Sequence, residues 1–212
     1  MTDDWIDEQL VARGIADVRV LEAMRRVPRD AFVPQESLGA AYADRALAIG
    51  SGQTISQPYI VAVMSEALRL TGTERVLDVG TGSGYQAAVL SLLAREVITI
   101  ERRPELADSA RATLASLGYR NVAVIAGDGT LGSPAHAPFD GILVAAGAPR
   151  IPEALKAQLS PAGGRLVIPV GSSEYQTLHI VTRNGAAFVD TPGLGCVFVP
   201  LIGAEGWNER SE

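Results

Sequence analysis

The sequence predicts an α/β fold in which a doubly wound, mostly parallel sheet follows an N-terminal helical extension and ends in an antiparallel edge. Short apolar runs alternate with segments of helical period from residue 75 onward, as in a parallel sheet covered by helices on both faces. A glycine-rich loop follows the first of these runs, as in many nucleotide-binding sheets. Near the C-terminus, an Asn-Gly pair separates two strand-like segments, which predicts a β-hairpin at the edge.

Composition and charge narrow the class of protein. With 212 residues, of which 47% are hydrophobic and 20% charged, the chain is predicted to form one domain with a sizeable core. A net charge of −6 and the lack of a Lys/Arg run argue against a nucleic-acid or membrane-surface partner. The single cysteine cannot form an intrachain disulfide, and no Cys/His group has metal-ligand spacing. We expect a soluble, cytoplasmic, monomeric protein without a metal site.

The predicted domain spans residues 1–212 and has three parts. Residues 1–72 are expected to form a helical segment with a polar loop, because their apolar residues recur at helical spacing. Residues 73–175 are expected to form the α/β core. Residues 176–212 are expected to supply the antiparallel strands.

Capping residues and prolines mark the elements of the N-terminal part. Asp17 can cap an amphipathic helix, and a polar, glycine-containing loop covers residues 49–54. The segment 29–33, which lies between two prolines, is predicted to be irregular. Pro58 is expected to open an apolar helix, with Gly72 as its C-cap.

Apolar runs and breakers place the elements of the core. Helices are predicted over residues 85–93, from Pro104 to Gly118, and from Pro152 onward. Five apolar runs are predicted to form the parallel strands, and they cover residues 76–79, 97–100, 122–125, 142–144 and 165–170. The hairpin is predicted to join residues 178–183 to residues 186–190 through Asn184-Gly185.

The glycine-rich loop is the first candidate binding element. It follows a strand that contains Asp78 and opens a helix, and its residues are Gly80, Thr81, Gly82, Ser83 and Gly84. Glycines let the backbone turn sharply and approach a ligand closely, and the helix N-terminus offers free N–H groups. A phosphate-binding loop of the Walker type would need a Gly-Lys-Ser/Thr ending, which this loop lacks. The loop by itself is also compatible with a purely structural turn.

Two acidic positions follow the next two strands. Glu101 ends the second strand, 21 residues after Gly80 (101 − 80), where a carboxylate can accept both hydroxyls of a ribose. Asp128 follows the third strand in Gly127-Asp128-Gly129 and can accept from an adenine amine. Each position alone is compatible with a turn or a solvated strand end. Together, at the carboxyl ends of successive strands, they favour a Rossmann-like adenosine site.

NAD and S-adenosylmethionine both fit such a site. The glycine spacing matches the methyltransferase variant of the loop, and a long helical segment precedes the first strand, whereas a dinucleotide fold usually starts with that strand. These two features favour S-adenosylmethionine.

A second motif, Thr54-Ile55-Ser56-Gln57-Pro58, lies before the sheet. Taken alone, Ser56 is compatible with a helix N-cap that has Pro58 in the first turn. No His/Asp pair lies nearby to activate a serine, which argues against a hydrolase triad.

With this motif the sequence resembles the protein-L-isoaspartate O-methyltransferase family, the protein-repair carboxyl methyltransferases. The resemblance extends from about residue 10 to residue 207, and the Thr-Ile-Ser-Gln-Pro segment is its specific element because generic methyltransferases lack it. The matching segments are residues 26–34, 42–45, 49–62, 76–85, 127–129, 137–140, 145–149, 163–171 and 198–202.

The resemblance implies a reaction and a set of site residues. The reaction is methyl transfer from S-adenosyl-L-methionine to the free α-carboxylate of L-isoaspartyl residues in damaged proteins, which starts repair through a succinimide; activity on D-aspartyl residues stays open. Ser56 would be the active-site serine and would contact substrate. The substrate peptide would also contact Ala145, Ala146, Gly147 and Ile202. The cofactor would contact Thr54, Ile55, Asp78, Gly80, Thr81, Gly82, Ser83, Gly84, Glu101, Gly127, Asp128 and Gly129.

Four positions depart from the commonest family pattern. Ser51 stands where bacterial members often have His, and Ala46 stands where a Pro often follows the arginine that corresponds to Arg45. Ala162 makes the segment 160–164 one residue longer than usual. Gly147 interrupts an alanine run, and we expect it to loosen the substrate loop and affect peptide affinity.

Three other functions are compatible with parts of the sequence. A related carboxyl methyltransferase could act on ordinary aspartate of a biosynthetic peptide, although we expect such an enzyme to need an additional peptide-binding region. A binding module could hold modified peptides without transferring methyl. An NAD-dependent oxidoreductase could use the same glycine loop.

Overall fold

The structure is a computed structural model that describes residues 4–208, so both ends of the predicted domain lie outside the described residues. The N-terminal part consists of two helices, a small hairpin and a third helix: α1 Asp4–Gln9, α2 Val18–Arg26, β1 Leu47–Gly50, β2 Gln53–Ile55 and α3 Pro58–Ala67. The core and edge then follow in chain order: β3 Arg75–Val79, α4 Tyr85–Ser91, β4 Glu96–Glu101, α5 Pro104–Ser116, β5 Val122–Ala126, β6 Gly141–Val144, α6 Glu153–Ala157, β7 Ala162–Gly171, β8 Gln176–Asn184 and β9 Ala187–Cys196.

Most local signals of the N-terminal part are confirmed. Asp17 caps α2, because its Oδ1 accepts from the N–H groups of Arg19 and Val20 at 2.9 and 3.4 Å. Pro58 begins α3 as predicted. The prediction that Gly72 caps α3 is wrong, since the helix ends at Ala67 and Arg69 takes the left-handed conformation (φ 53°).

Two further segments of this part differ from the predictions. Residues 49–54, predicted as a loop, lie mostly in the β1–β2 hairpin, which pairs Leu47 with Ile55. Its tight turn has positive φ angles of 92°, 51° and 68° at Gly50, Ser51 and Gly52. The segment 29–33, predicted as irregular, is largely one turn of 3₁₀ helix. Both elements are too short to give a clear sequence period.

The large sheet has the predicted architecture. Its strand order is β5-β4-β3-β6-β7-β8-β9. Strands β3 to β7 pair in parallel, and β8 and β9 add an antiparallel edge. The chain moves outward from β3 to β5 and then returns to place β6 on the other side of β3. This reversal creates a switch point at the carboxyl ends of β3 and β6, where such sheets bind ligands.

The sheet accommodates both the hairpin at its edge and the additional residue of segment 160–164. Asn184 pairs with Ala187, so the two-residue turn starts at Gly185, one position later than predicted. The pairing of β7 with β8 shifts register between Ala162 and Arg165, which is a β-bulge that absorbs one additional residue. The bulge lies at the start of β7, opposite the carboxyl edge of the parallel strands.

The core lies on both faces of the sheet. One apolar cluster packs the N-terminal helices and α4 against the sheet, and a second fills the other face around Phe139 and Leu155. Every residue of β6 is buried, as expected for a central parallel strand. Within residues 4–208, none of the helices has both the length and the apolar character needed to cross a bilayer.

Candidate active site

A cleft of about 1090 Å³ opens at the carboxyl ends of β3, β4 and β6. It brings together three chain-distant parts: the β1–β2 hairpin, the loops that follow the parallel strands, and residues 199–208. Twelve of the predicted site residues line it, namely Thr54, Ile55, Ser56, Gly80, Thr81, Gly82, Ser83, Glu101, Gly129, Ala145, Ala146 and Ile202. Five others lie outside its lining, namely Asp78, Gly84, Gly127, Asp128 and Gly147.

The glycine loop is fixed by hydrogen bonds to β4. The N–H groups of Gly80 and Thr81 donate to the carbonyl of Ile100 at 2.9 and 3.3 Å. The φ angles of Gly80 and Gly82 are 94° and 53°, a region that side chains disfavour. Gly84 faces away from the cleft, where an added Cβ would lie 3.3 Å from Leu114. Its absent side chain therefore permits close packing of α4 against α5, and it does not bound the cleft.

Glu101 joins the glycine loop to the end of β4. The residue as a whole is only 7% exposed. Oε2 accepts from the N–H of Gly82 at 2.9 Å, and Oε1 accepts from the N–H of Arg103 at 3.0 Å. Each oxygen retains further acceptor capacity, so this carboxylate can accept two more donors from a ligand in the cleft.

Asp78 lies beneath the glycine loop and is fully buried. Its Oδ2 accepts from the Thr99 hydroxyl at 2.7 Å, and the Thr81 hydroxyl lies 2.6 Å from that of Thr99. Because the Thr99 hydrogen is used by Asp78, Thr81 is the donor to Thr99. Oδ1 of Asp78 is buried without a partner among the described residues. Burial raises the pKa of Asp78 to about 7. The carboxyl group thus supports the loop through two threonines and does not reach the cleft itself.

Asp128 holds the C-terminal segment, residues 199–208. Its Oδ1 accepts from the N–H and the hydroxyl of Thr130 at 2.9 and 2.7 Å, and Oδ2 accepts from the N–H of Ala204 at 2.8 Å. Partial burial raises the pKa of Asp128, but the hydrogen bonds from Ala204 and Thr130 outweigh it, so the pKa lies below the ordinary value. Asp128 itself lies outside the cleft lining, and its contact to an adenine amine stays a prediction. Gly129 lies at the cleft instead, where a Cβ would be 2.5 Å from Val79.

Ser56 lines the cleft between β2 and α3. Gln57 is the N-cap of α3, and it makes no side-chain capping bond. The interpretation of Ser56 as a helix cap is therefore wrong. Its carbonyl accepts from Nη2 of Arg29 at 2.7 Å, whereas its hydroxyl makes no hydrogen bond within the described part of the chain. This leaves the hydroxyl free to meet a ligand.

The loop after β6 is more rigid than expected. The N–H groups of Ala145 and Gly147 donate to the carbonyls of Val79 and Val199, each at 2.8 Å. These two amides are therefore unavailable to a peptide. The Gly147 carbonyl also accepts from the indole N–H of Trp207 at 3.0 Å. Since both backbone groups of Gly147 are engaged, the expectation that this glycine loosens the loop is wrong.

Close packing explains why residue 147 is a glycine. A Cβ at this position would lie 2.9 Å from Cδ of Gln176. The Gln176 side chain is 1% exposed, and its Oε1 accepts from the N–H of Phe198 at 2.7 Å. Gln176 therefore cannot move aside without giving up a buried hydrogen bond.

Sequence reasoning missed several cleft residues. Tyr85 and Gln86 line it from the start of α4, and Trp207 lines it from the C-terminal segment. The aromatic and apolar residues carry no local signal that separates a cleft wall from a core. Arg29 lies outside the cleft lining but binds the Ser56 carbonyl; it was also missed, because nothing in a sequence shows that an arginine is fully buried.

Comparisons with known proteins show the family of the chain. The family model described as protein-L-isoaspartate(D-aspartate) O-methyltransferase matches residues 2–206. The chain belongs to this family. A protein-L-isoaspartate O-methyltransferase 2 of Marinobacter nauticus is 60% identical over 201 residues, which cover 94% of this chain and 91% of the relative.

Solved structures of the same family share the fold. A protein-L-isoaspartate O-methyltransferase superposes with a TM-score of 0.87 at 29% identity, covering 97% of this chain and 67% of the other. A putative protein-L-isoaspartate O-methyltransferase of Plasmodium falciparum, in complex with S-adenosyl-L-homocysteine, gives a TM-score of 0.79 at 26% identity over 94% and 97% of the two chains.

The predicted activity is confirmed by family membership. The chain is an S-adenosylmethionine-dependent methyltransferase that acts on L-isoaspartyl residues of proteins, in protein repair. Isoaspartyl-containing proteins are its substrates. The three alternative functions are not favoured, because the relatives that cover nearly the whole chain carry this one activity in their names.

The contact between Gly147 and Gln176 can be tested by stability. We predict that Gly147→Ala lowers the free energy of unfolding by about 1–3 kcal/mol, because the added methyl overpacks a buried site. Gln176→Ala removes the obstructing atoms, so the double variant should lose less than the sum of the two single variants. Urea unfolding measures all three differences, and strictly additive losses would contradict the close contact.

The buried carboxyl of Asp78 should make stability depend on pH. Its folded pKa of about 7 exceeds the ordinary aspartate value of about 3.9, so the folded state binds this proton more tightly. Its contribution to stability is present below about pH 4 and is lost as the pH rises to about 7.

The measurement compares wild type with Asp78→Asn, which stays neutral. The free energy of unfolding of the wild type, minus that of Asp78→Asn, should fall between about pH 4 and pH 7 and then level off. Urea unfolding at stepped pH gives this difference, with Asp108→Asn as a control at an exposed carboxyl. A flat difference across that window would show that Asp78 titrates as in the unfolded chain.

Proposed function

We propose that the cleft catalyses methyl transfer by positioning the substrate, with the Ser56 hydroxyl donating a hydrogen bond to the isoaspartyl α-carboxylate. The observation that supports this most directly is the shared cleft of Ser56, Gly82 and Glu101, in which the serine hydroxyl has no competing partner in the described residues. Ser56 is then the residue that aims one carboxylate oxygen at the transferred methyl group.

The residues of the cleft fit the family's cofactor. The Glu101 carboxylate has capacity for two further donors and can accept both ribose hydroxyls. Gly80 and Gly82 leave room for a ligand close to the backbone, and Ile55 and Ile100 offer apolar wall. We assign Thr54, Thr81, Ser83 and Gly129 to the same subsite. When bound, S-adenosylmethionine supplies a methyl group on a positively charged sulfonium.

The acceptor needs no general base. A carboxylate has a pKa near about 4, so it is already ionised at neutral pH. What the protein supplies is orientation, which can contribute about 7–11 kcal/mol in favourable cases, and partial exclusion of water from the carboxylate. Ser56 and the loop wall formed by Ala145, Ala146 and Ile202 supply the orientation in this proposal. In this loop the N–H of Ala146 makes no hydrogen bond within the described residues, so it can donate to the peptide.

The later steps need no further group of the protein. Methylation turns the carboxylate into an ester with a better leaving group. Attack by the neighbouring backbone nitrogen on the ester carbonyl then closes a succinimide, as the C–O bond breaks and methanol leaves with the amide proton. Hydrolysis of that ring returns part of the material to normal aspartate.

The remaining assignments are also proposals. We infer that residues 1–212 form one methyltransferase domain, which works as a monomer in the cytoplasm and engages neither nucleic acid nor membrane. A net charge of −6 and a single cysteine support this setting. Formation of base-labile methyl ester on a D-aspartyl peptide tests whether D-aspartyl residues are methylated.

The role of Ser56 is tested by Ser56→Ala. We predict that kcat for an isoaspartyl peptide falls about 10- to 100-fold, because the substrate carboxylate loses the hydrogen bond that orients it. The affinity for S-adenosylhomocysteine should be unchanged. Base-labile methyl ester formation measures turnover, and calorimetry measures affinity. An aspartyl peptide of the same sequence is the substrate control, and Ser116→Ala on the surface of α5 is the variant control. Equal losses of turnover and of affinity would instead assign Ser56 to the cofactor subsite.

The role of Glu101 is tested by Glu101→Gln. An amide retains one acceptor oxygen and cannot serve Gly82, Arg103 and a ribose together. We predict that the affinity for S-adenosylhomocysteine falls about 10- to 100-fold, as for the loss of a hydrogen bond to a charged group. Glu105→Gln, at a neighbouring exposed carboxylate, should bind as the wild type does. Unchanged binding by Glu101→Gln would remove Glu101 from the cofactor subsite.

A further inference from the structure

Arg29 is a buried cation whose role the proposed mechanism does not use. Its side chain is 0% exposed, and burial lowers the pKa of its guanidinium. Burying such a group is costly unless it is paired. Among the described residues, none of the ion pairs includes Arg29. A charge retained under these conditions calls for a physical reason.

The guanidinium of Arg29 joins two separate loops. Nε donates to the carbonyl of Ala41, and Nη2 donates to the carbonyl of Ser56, both at 2.7 Å. The guanidinium carbon lies 4.8 Å from the ring centroid of Tyr85, which lines the cleft. Nη1 is buried and has no partner in the described part of the chain. The planar fork is therefore fixed by two carbonyls and one aromatic face.

Ser56 depends on this contact for its backbone position. It follows β2 and precedes the N-cap of α3, so it belongs to neither a strand nor a helix. Nearby, the Gln57 side chain donates to the carbonyl of Asp44 at 3.1 Å, but within residues 4–208 Arg29 is the only donor to the Ser56 carbonyl. The direction of the Ser56 hydroxyl follows from the orientation of this backbone.

We propose that Arg29 is a positioning residue for methyl transfer, which acts by holding the Ser56 carbonyl and so aiming the Ser56 hydroxyl at the substrate carboxylate. This inference rests on the proposed function of Ser56. Arg29 does not line the cleft, so it acts through the cleft residues that it contacts, and of these Ser56 is the one that it holds by a hydrogen bond. A displacement of about 1 Å at a reacting group can cost about 100-fold in rate.

Arg29→Met tests the proposal, since methionine keeps an unbranched apolar stem against Tyr85 and removes the donors. Arg19→Met is the matched control, because Arg19 likewise joins two carbonyls, those of Leu70 and Leu93, at 2.8 and 3.2 Å. Neither of these leucines lines the cleft. All variants are assayed below their melting temperatures, with kcat and KM for an isoaspartyl peptide and calorimetric affinity for S-adenosylhomocysteine.

We expect Arg29→Met to lower kcat about 10- to 100-fold with unchanged affinity for S-adenosylhomocysteine, and Arg19→Met to leave kcat unchanged even where it lowers stability. The decisive measurement is the double variant with Ser56→Ala. If Arg29 acts through Ser56, Arg29→Met should cost little kcat in the Ser56→Ala background.

The outcomes separate the two proposals. An undiminished kcat in Ser56→Ala would overturn the proposed role of the serine itself. The role of Arg29 alone would be overturned by either of two results, provided that Ser56→Ala has a low kcat. One is that the losses of kcat in the double variant are additive, and the other is that Arg29→Met loses no kcat. Equal losses of kcat in Arg29→Met and Arg19→Met would reduce Arg29 to a general stabiliser of the fold.

Discussion

The hydrogen bond between the Gly82 N–H and the Glu101 carboxylate is the contact on which the site depends. It joins the loop after β3 to the end of the neighbouring strand β4 at 2.9 Å, beside the switch point of the sheet. Parallel pairing brings these two ends to one edge, and the near-total burial of the carboxylate strengthens the bond by excluding water. The ligand subsite is therefore preorganised by the same interaction that closes the loop.

Two segments from outside the α/β core complete the cleft. The β1–β2 hairpin and Ser56 form one wall, and residues 199–208 form another. Each wall is held by a charged group that does not touch the cleft: Arg29 holds the carbonyl of Ser56, and Asp128 holds the N–H of Ala204. Charge-assisted hydrogen bonds to backbone are strong and directional, which suits groups that must position a wall without occupying it.

Local signals predicted the elements well wherever the chemistry is local. The parallel strands, the glycine loop, the Asp17 cap and the edge hairpin depend on neighbours within a few residues, and all were recovered. The β1–β2 hairpin was missed because strands of four and three residues show no usable alternation. Gly72 was predicted as a cap because glycine favours that position, but the helix ends earlier, at Ala67, and Arg69 adopts the left-handed conformation.

The sequence by itself determined the fold class, the family and the chemistry of the pocket, because alternating apolar runs, glycine spacing and the Thr-Ile-Ser-Gln-Pro segment are local and specific. Only the tertiary structure decided which polar groups are free. Asp128 is engaged by a residue 76 positions away, and Gly147 is confined by Gln176. A polar group can make only a limited number of hydrogen bonds. Its partners come from distant segments of the chain, which only folding brings into contact.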